Sequence, residues 1–259
     1  MTHLIIKTEE CKGCGKCARD CGRGVLKIEN NKCIIIEERK DLCIECGHCV
    51  AICGRKAIVL NDLPIESLPE TNEKVEDVMK LRRSIRRFKS TPIPNEEIQQ
   101  LLNITKYCPS ACNYRPVKFL VINRPKLTEV IKKLCSISLS SDTSSEFLKS
   151  VCIRQEQQDV IGREAPHMII TYCDNDPKTS QFAFQDASIF LGQFELFAVQ
   201  KGYGTFWCGF MQLLLESDEA LECVGLKGKK CLTCMGFGIP HIKYKNLPSR
   251  KNADVSFLE

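Results

Sequence analysis

The chain has 259 residues, 43% hydrophobic and 27% charged, with a formal net charge of +5. That length suits two domains rather than one small module. No apolar run approaches the roughly 20 residues needed to span a bilayer, and the basic residues form no long stripe interleaved with aromatics, so neither a membrane nor a nucleic acid is an expected partner. The unusual number is cysteine, 18 in all. Residues 1–7 do not read as a secretory leader, and so many thiols suit a reducing compartment, so a cytoplasmic location is expected.

In chain order, Leu4–Ile6 reads as a short strand. Cys11, Cys14, Cys17 and Cys21 then form a run spaced C-x2-C-x2-C-x3-C, repeated 32 residues later by Cys43, Cys46, Cys49 and Cys53. In this spacing three successive thiolates converge on one iron–sulfur cube while the fourth reaches the other. The rule assigns Cys11, Cys14, Cys17 and Cys53 to one [4Fe–4S] cluster, and Cys43, Cys46, Cys49 and Cys21 to the second. Each oxidised cluster with its thiolates carries about −2, which nearly cancels the chain's positive excess. Residues 1–62 resemble the two-cluster bacterial ferredoxins, with Gly22 and Gly54 where a proline is usual. Segments 34–37 and 57–60 read as strands, Cys33 as a packed thiol, and His48 as a surface residue near the second run. The stretch 61–73 (NDLPIESLPETNE) has two prolines, two asparagines and many acids, a linker composition, and 63–74 is expected to join two domains.

Beyond the linker the pattern becomes mixed helix and strand, an α+β or α/β unit over 75–259. Residues 75–83 read as a helix with Val75, Val78, Met79 and Arg82 at turn spacing. Asn95 is placed to cap a second helix whose apolar face is Ile98, Leu101, Leu102 and Thr105. Segments 117–123 and 168–172 read as buried strands, and the serine-rich 136–145 as a mobile connection. Residues 184–201 form the strongest helix, apolar around enough of its circumference to be buried on more than one side. A last strand, 232–238, precedes a basic tail.

Arg82, Arg83, Ser84, Arg86 and Arg87 fall within six residues, a receptor for a dianionic phosphate through charge-assisted hydrogen bonds. The segments PSACNYRP (109–116), GYGTFWCG (202–209), GFGIP (236–240) and LPSRK (247–251) follow. In that order these motifs resemble the nitroreductase family of FMN enzymes over about residues 75–259. The resemblance implies a three-layer α+β fold and a homodimer with one FMN in each of two interfacial sites. It implies that Arg82, Arg83, Ser84, Arg86 and Arg250 hold the phosphate and ribityl chain, and that Ser110 and Asn113 reach the flavin from a partner subunit. The backbone of Thr205, Phe206, Trp207, Cys208 and Gly209 would lie beside the ring. Arg115 stands where the family usually has glutamine, and Phe119 follows in a stretch without tryptophan.

Cys231 and Cys234 form a C-x-x-C, but strand residues three apart face opposite sides, so both read as packed thiols. Cys108 and Cys112 read as inert and Cys208 as a minor redox candidate; His167 and His241 read as structural. No side chain is required as nucleophile or general base. Together the halves suggest electrons passing from an external donor through two clusters to FMN and on to a small flat electrophile, such as a nitroaromatic or quinone. A ferredoxin donor fits a chain with no dinucleotide-binding fingerprint. The alternatives are an enzyme driven by NAD(P)H and a non-catalytic redox carrier or sensor.

Overall fold

The computed structural model describes residues 3–67 and 75–258. They divide into two units, one of Met1–Leu81 with Lys243–Glu259 and the other Arg82–Ile242. Most of the expected linker, 68–74, lies outside the described residues.

The first unit repeats itself. Strand β1 (Leu4–Ile6) is followed by helix α1 (Lys16–Asp20), hairpin strands β2 (Leu26–Glu29) and β3 (Lys32–Ile35), helix α2 (His48–Ile52) and strand β4 (Ile58–Leu60). β1 pairs antiparallel with β4, and β2 with β3. The β2–β3 turn is Asn30–Asn31, with φ 48° and 57°, the left-handed pair that a two-residue hairpin requires. Each short helix starts after a left-handed glycine, Gly15 (φ 73°) or Gly47 (φ 71°), and ends at an extended cysteine, Cys21 or Cys53. The 32-residue sequence period is therefore also a period of backbone conformation.

Two expectations change here. Residues 65–67, assigned to the linker, form strand β5 (Ile65–Ser67). Its antiparallel partner comes from the C-terminal tail, Asn246–Pro248, so 243–258 clusters with the first unit although the motif order had placed it with the second. Helix α3 (Val75–Leu81) buries Val78 but leaves Val75 and Met79 exposed.

The second unit is built on an antiparallel sheet. In chain order it contains α4 (Asn95–Leu102), β6 (Lys118–Asn123), α5 (Lys126–Ser140), α6 (Glu146–Gln157), β7 (His167–Asp174), α7 (Pro177–Ser180), α8 (Ala183–Gln200), β8 (Gly204–Trp207), α9 (Gly209–Leu214), α10 (Asp218–Glu222) and β9 (Lys229–Gly238). The strand order is β6-β7-β9-β8 and every pairing is antiparallel, so the unit is α+β. The tail strand Asn246–Pro248 completes the count as β10.

His167 to Thr171 are five consecutive buried residues, so both faces of β7 are covered. On one face Ile169, Met235 and Phe237 pack with Leu191, Phe194 and Ala198 of α8 and with Ile98, Leu101 and Leu102 of α4. α5 and α9 pack against each other and against β6 and β9. Among the described residues no helix is long and apolar enough to cross a membrane.

Asn95 does not cap α4; Pro94 holds the cap position and the Asn95 side chain instead accepts from Asn123 Nδ2 (3.0 Å). The first half of the serine-rich stretch is helical: α5 runs to Ser140, Ser138 is buried, and Ser145 Oγ caps α6 by accepting from Leu148 N. Serine hydroxyls that bond back to carbonyls, as Ser140 does to Ser136 and Ile137, let a polar run continue a helix.

Candidate functional site

The arginine segment runs beside the edge strand of the second unit. Ser84 bridges to Thr205, Ile85 N donates to Thr205 O (2.7 Å), Lys89 N donates to Ile239 O (2.8 Å), and Phe88 bridges to Pro240. Gly204 permits this approach, since a Cβ there would stand 2.5 Å from Ile85 Cγ1. Arg83 is buried and its Nη1 donates to Arg82 O (2.6 Å). Arg163, on the loop before β7, has its pKa lowered by burial and then by the neighbouring Arg86 charge. Several guanidiniums and a serine on one loop form a set able to hold a phosphate dianion.

Glu195 is the residue that sequence reasoning missed. It lies on α8 at 5% exposure and gathers three groups expected at the cofactor. Oε1 takes Thr205 Oγ1 (2.9 Å) and Arg82 Nη1 (3.4 Å), and Oε2 takes Trp207 Nε1 (3.3 Å). The signal available in the sequence was one acid between Phe194 and Phe197, in the mostly apolar second half of the helix. Strand alternation explains the selection: Thr205 and Trp207 share the face toward Glu195. Phe206 and Cys208 are buried on the other, where Phe206 packs against Phe88. Burial pushes the Cys208 thiol up to about 12, and its Sγ donates to Ile161 O, the state of an inert thiol. Gly209 opens α9.

Ser110 and Asn113 sit in a separate loop, anchored where Ala111 N donates to Asp186 Oδ1 (3.0 Å). Asp186 is roughly 13 Å along α8 from Glu195 at the standard helical rise. Cys112, Asn113 and Arg115 have φ of 48°, 55° and 49°, three left-handed residues in one loop that need external support. Arg115 supplies it: its guanidinium donates to Cys108 O (2.9 Å) and Thr105 O (2.8 Å) and lies over the Phe190 ring. Thr105 and Arg115 line a cavity of about 350 Å³ with Leu102, Val117, Phe119 and Phe190.

Cys231 and Cys234 do not face opposite sides of their strand. The β7–β9 register shifts between Thr171 and Tyr172, which pair with Thr233 and Cys231. This bulge breaks the alternation, so Leu232 and Met235 both pack toward α8 and the two Sγ atoms come within 4.0 Å. Cys234 is wholly buried and its pKa is raised by burial first, then by the Cys231 contact. His167 is structural: Nε2 accepts from Ile93 N (2.8 Å), which leaves Nδ1–H to donate to Asn123 Oδ1 (2.7 Å).

In the first unit the two cysteine loops have matching surroundings. Val25 N donates to Cys21 Sγ and Ala57 N to Cys53 Sγ, each at 3.3 Å and each four residues on. Cys11 Sγ accepts from Gly13 N (3.4 Å) and Cys33 N (3.3 Å). Cys49 has its pKa raised by burial first and then by Cys46, Cys21, Cys17 and Cys43. The set includes the three cysteines that the spacing rule joins to it. Backbone N–H groups directed at sulfur suit thiolates, so the donor chemistry fits iron–sulfur clusters. Among the described residues no three His, Cys, Asp or Glu side chains are placed around a single metal ion. Cys33 is buried with its Sγ 3.3 Å from Cys17. His48, expected at the surface, is buried at 4% exposure, edge-on to Tyr244.

Arg250 also departs from expectation. Its Nη groups donate to Glu45 O (2.8 Å) and Cys46 O (2.6 Å), so carbonyls of the second cysteine loop, rather than a phosphate, take these donors. Around it Asn246 Nδ2 donates to Val50 O and Cys53 O, Lys245 N to Ala51 O, and Tyr244 OH to Asp20. The tail thus covers the open carbonyls at the end of α2.

The model of the nitroreductase family matches residues 79–239. A relative from Methanothermobacter thermautotrophicus, provisionally named an NADH dehydrogenase/NAD(P)H nitroreductase, is 28% identical over 140 residues; the match covers 54% of this chain and 62% of the relative, less than two thirds of its length. An iodotyrosine deiodinase from Thermotoga neapolitana is 24% identical over 138 residues, covering 50% of this chain and 70% of its own. Among solved structures, a nitroreductase with bound FMN from Bacteroides fragilis aligns with a TM-score of 0.59 at 21% identity, over 73% of this chain and 100% of its own. Another from Desulfitobacterium hafniense gives 0.57 at 18%, over 74% and 100%. The antiparallel sheet, the buried α8 and the arginine loop along β8 all fall within the stretch the family model covers: the chain belongs to the nitroreductase family.

Proposed function

We propose that the chain is an iron–sulfur flavoprotein oxidoreductase. It would pass electrons from an external donor through two [4Fe–4S] clusters to FMN and on to a nitroaromatic, quinone or similar flat acceptor. The observation that carries the flavin half is the convergence of Arg82, Thr205 and Trp207 on one buried carboxylate, all within the family match. When bound, FMN exchanges electrons singly with a cluster and in pairs with an organic acceptor. Arg82, Arg83, Ser84 and Arg86 hold its phosphate, the backbone of 205–209 runs beside its ring, and the partly exposed Trp207 forms a wall. Ser110 and Asn113, on the loop held by Asp186, serve the site of a partner subunit in a homodimer. The cluster half rests on the doubled cysteine spacing and on the paired N–H donors at Cys21 and Cys53. Ligation by Cys11, Cys14, Cys17 and Cys53, and by Cys43, Cys46, Cys49 and Cys21, is part of the same reading, as are a reducing cytoplasm and two domains, with the C-terminal tail counted with the cluster domain.

A second reading has NAD(P)H reduce the flavin directly; the nitroreductase names of the relatives favour it. Anaerobic stopped-flow spectra with NADH, NADPH and reduced ferredoxin separate the two. Rapid flavin bleaching by ferredoxin alone is the expected result. Rapid bleaching by a nicotinamide nucleotide would put the clusters downstream of the flavin.

A further inference from the structure

A carboxylate buried in a protein is costly unless donors surround it. Glu195 has three, and they come from two different segments: Arg82 from the arginine loop, and Thr205 and Trp207 from β8. α8 is packed on the sheet through Leu191, Phe194 and Ala198, so the carboxylate is a post to which both segments are tied. We propose that Glu195 is the positioning residue of the flavin site, orienting the Arg82 guanidinium toward the phosphate and the Trp207 ring toward the isoalloxazine; this rests on the FMN reading above.

The sign of its effect follows from charge and geometry. An arginine has five N–H donors, and Glu195 engages Nη1, leaving other donors for the ligand. Arg82, Arg83 and Arg86, with Arg163 near Arg86, outnumber Glu195, so the site keeps a net positive charge for a phosphate of about −1.5 to −2. Removing the carboxylate frees a long side chain whose ordering must then be supplied on binding. FMN affinity therefore falls, although a negative charge has been removed from beside a phosphate site.

Trp207 is the only tryptophan in the chain, so its emission reports directly on this site. The test is titration of the full-length chain, freed of flavin, with FMN while that emission is followed, for the wild type, Glu195→Gln, Arg82→Ala and the double variant. The wild type is expected to be quenched at one equivalent, and Glu195→Gln to bind FMN about tenfold more weakly. In the Arg82→Ala background the added Glu195→Gln change should cost about threefold or less, the share that acts through Trp207, because the rest acts through Arg82. A Glu195→Gln protein that binds as tightly as the wild type, or losses that multiply independently, would overturn the proposal. A wild type that neither binds FMN nor loses emission would overturn the flavin reading itself, a distinguishable result. If Glu195→Gln does not fold, Thr205→Val removes a donor to the same oxygen; a loss of FMN affinity of several-fold is expected, and unchanged affinity overturns the proposal.

Discussion

Lowering the pH should load a proton onto the unfolded form of the second unit before the folded form will take it. His167 is fully buried between Ile93 and Asn123, and burial pushes its imidazole down from 6.5 to about 4. The neutral ring fits because Nε2 must remain an acceptor for Ile93 N; protonating it removes that bond and buries a charge. Above pH 6.5 neither state is protonated and the group has no pH effect. Between 6.5 and 4 the unfolded chain binds more protons, so stability falls as pH falls, and below 4 the loss levels off. At about 1.36 kcal/mol per pKa unit, the full loss is roughly 3 kcal/mol, and about 2.5 kcal/mol at pH 4.5. The assay is urea unfolding followed by Trp207 emission at pH 7.5 and 4.5, for the wild type and His167→Gln. Glutamine can accept from Ile93 and donate to Asn123 but does not titrate. Its own packing cost appears at both pH values, and the titration of other groups is common to both proteins, so the change in the wild-type-minus-variant difference isolates His167. A difference that stays constant within about 0.5 kcal/mol, well inside the roughly 1.36 kcal/mol of a single pKa unit, would refute the argument.

Arg82→Ala combined with Arg86→Ala should release FMN while leaving cluster absorbance intact; stoichiometric flavin retained through gel filtration would sink the phosphate-site assignment. Gly236→Ala would place a Cβ 2.1 Å from Phe206 Cε1 and should destabilise the second unit by about 1–3 kcal/mol, read from the urea midpoint, with part recovered by adding Phe206→Leu. An unchanged midpoint would contradict that contact. Asn246→Leu leaves Val50 O and Cys53 O without their side-chain donor, at about 1–3 kcal/mol for the buried groups, and should speed the loss of cluster absorbance in dilute denaturant. A rate equal to the wild type's would show that the tail does not support the second cysteine loop. Cys14→Ala should abolish turnover driven by a ferredoxin donor yet leave chemically reduced protein able to reduce an acceptor; normal donor-driven activity would remove the clusters from the electron path.

Local spacing carried most of what could be read in advance. The cysteine runs are legible because ligand loops are short-range objects, set by i, i+3, i+6 and i+10 positions, and the helix starts at Gly15 and Gly47 repeat with them. The arginine loop, α8 and the strands β6, β7 and β9 were likewise visible as pattern and motif. What sequence alone could not reach were contacts between residues far apart in the chain, whose cost and benefit are set by packing. Glu195 meets Arg82 across 113 positions, and nothing near either residue announces the meeting. Arg250 lies in a recognisable motif, yet the structure sets its donors on carbonyls 204 and 205 positions away. Cys231 and Cys234 obey a two-residue period until one bulge against Thr171 and Tyr172 reverses it. The chain's residues by themselves determined the cysteine spacing, the buried faces of α4 and α8 and family membership, because these depend on neighbours in sequence. Only the tertiary structure decided which carboxylate holds the arginine loop, which loop the tail supports and which thiols share a face, because those follow from strand register and burial across the whole fold.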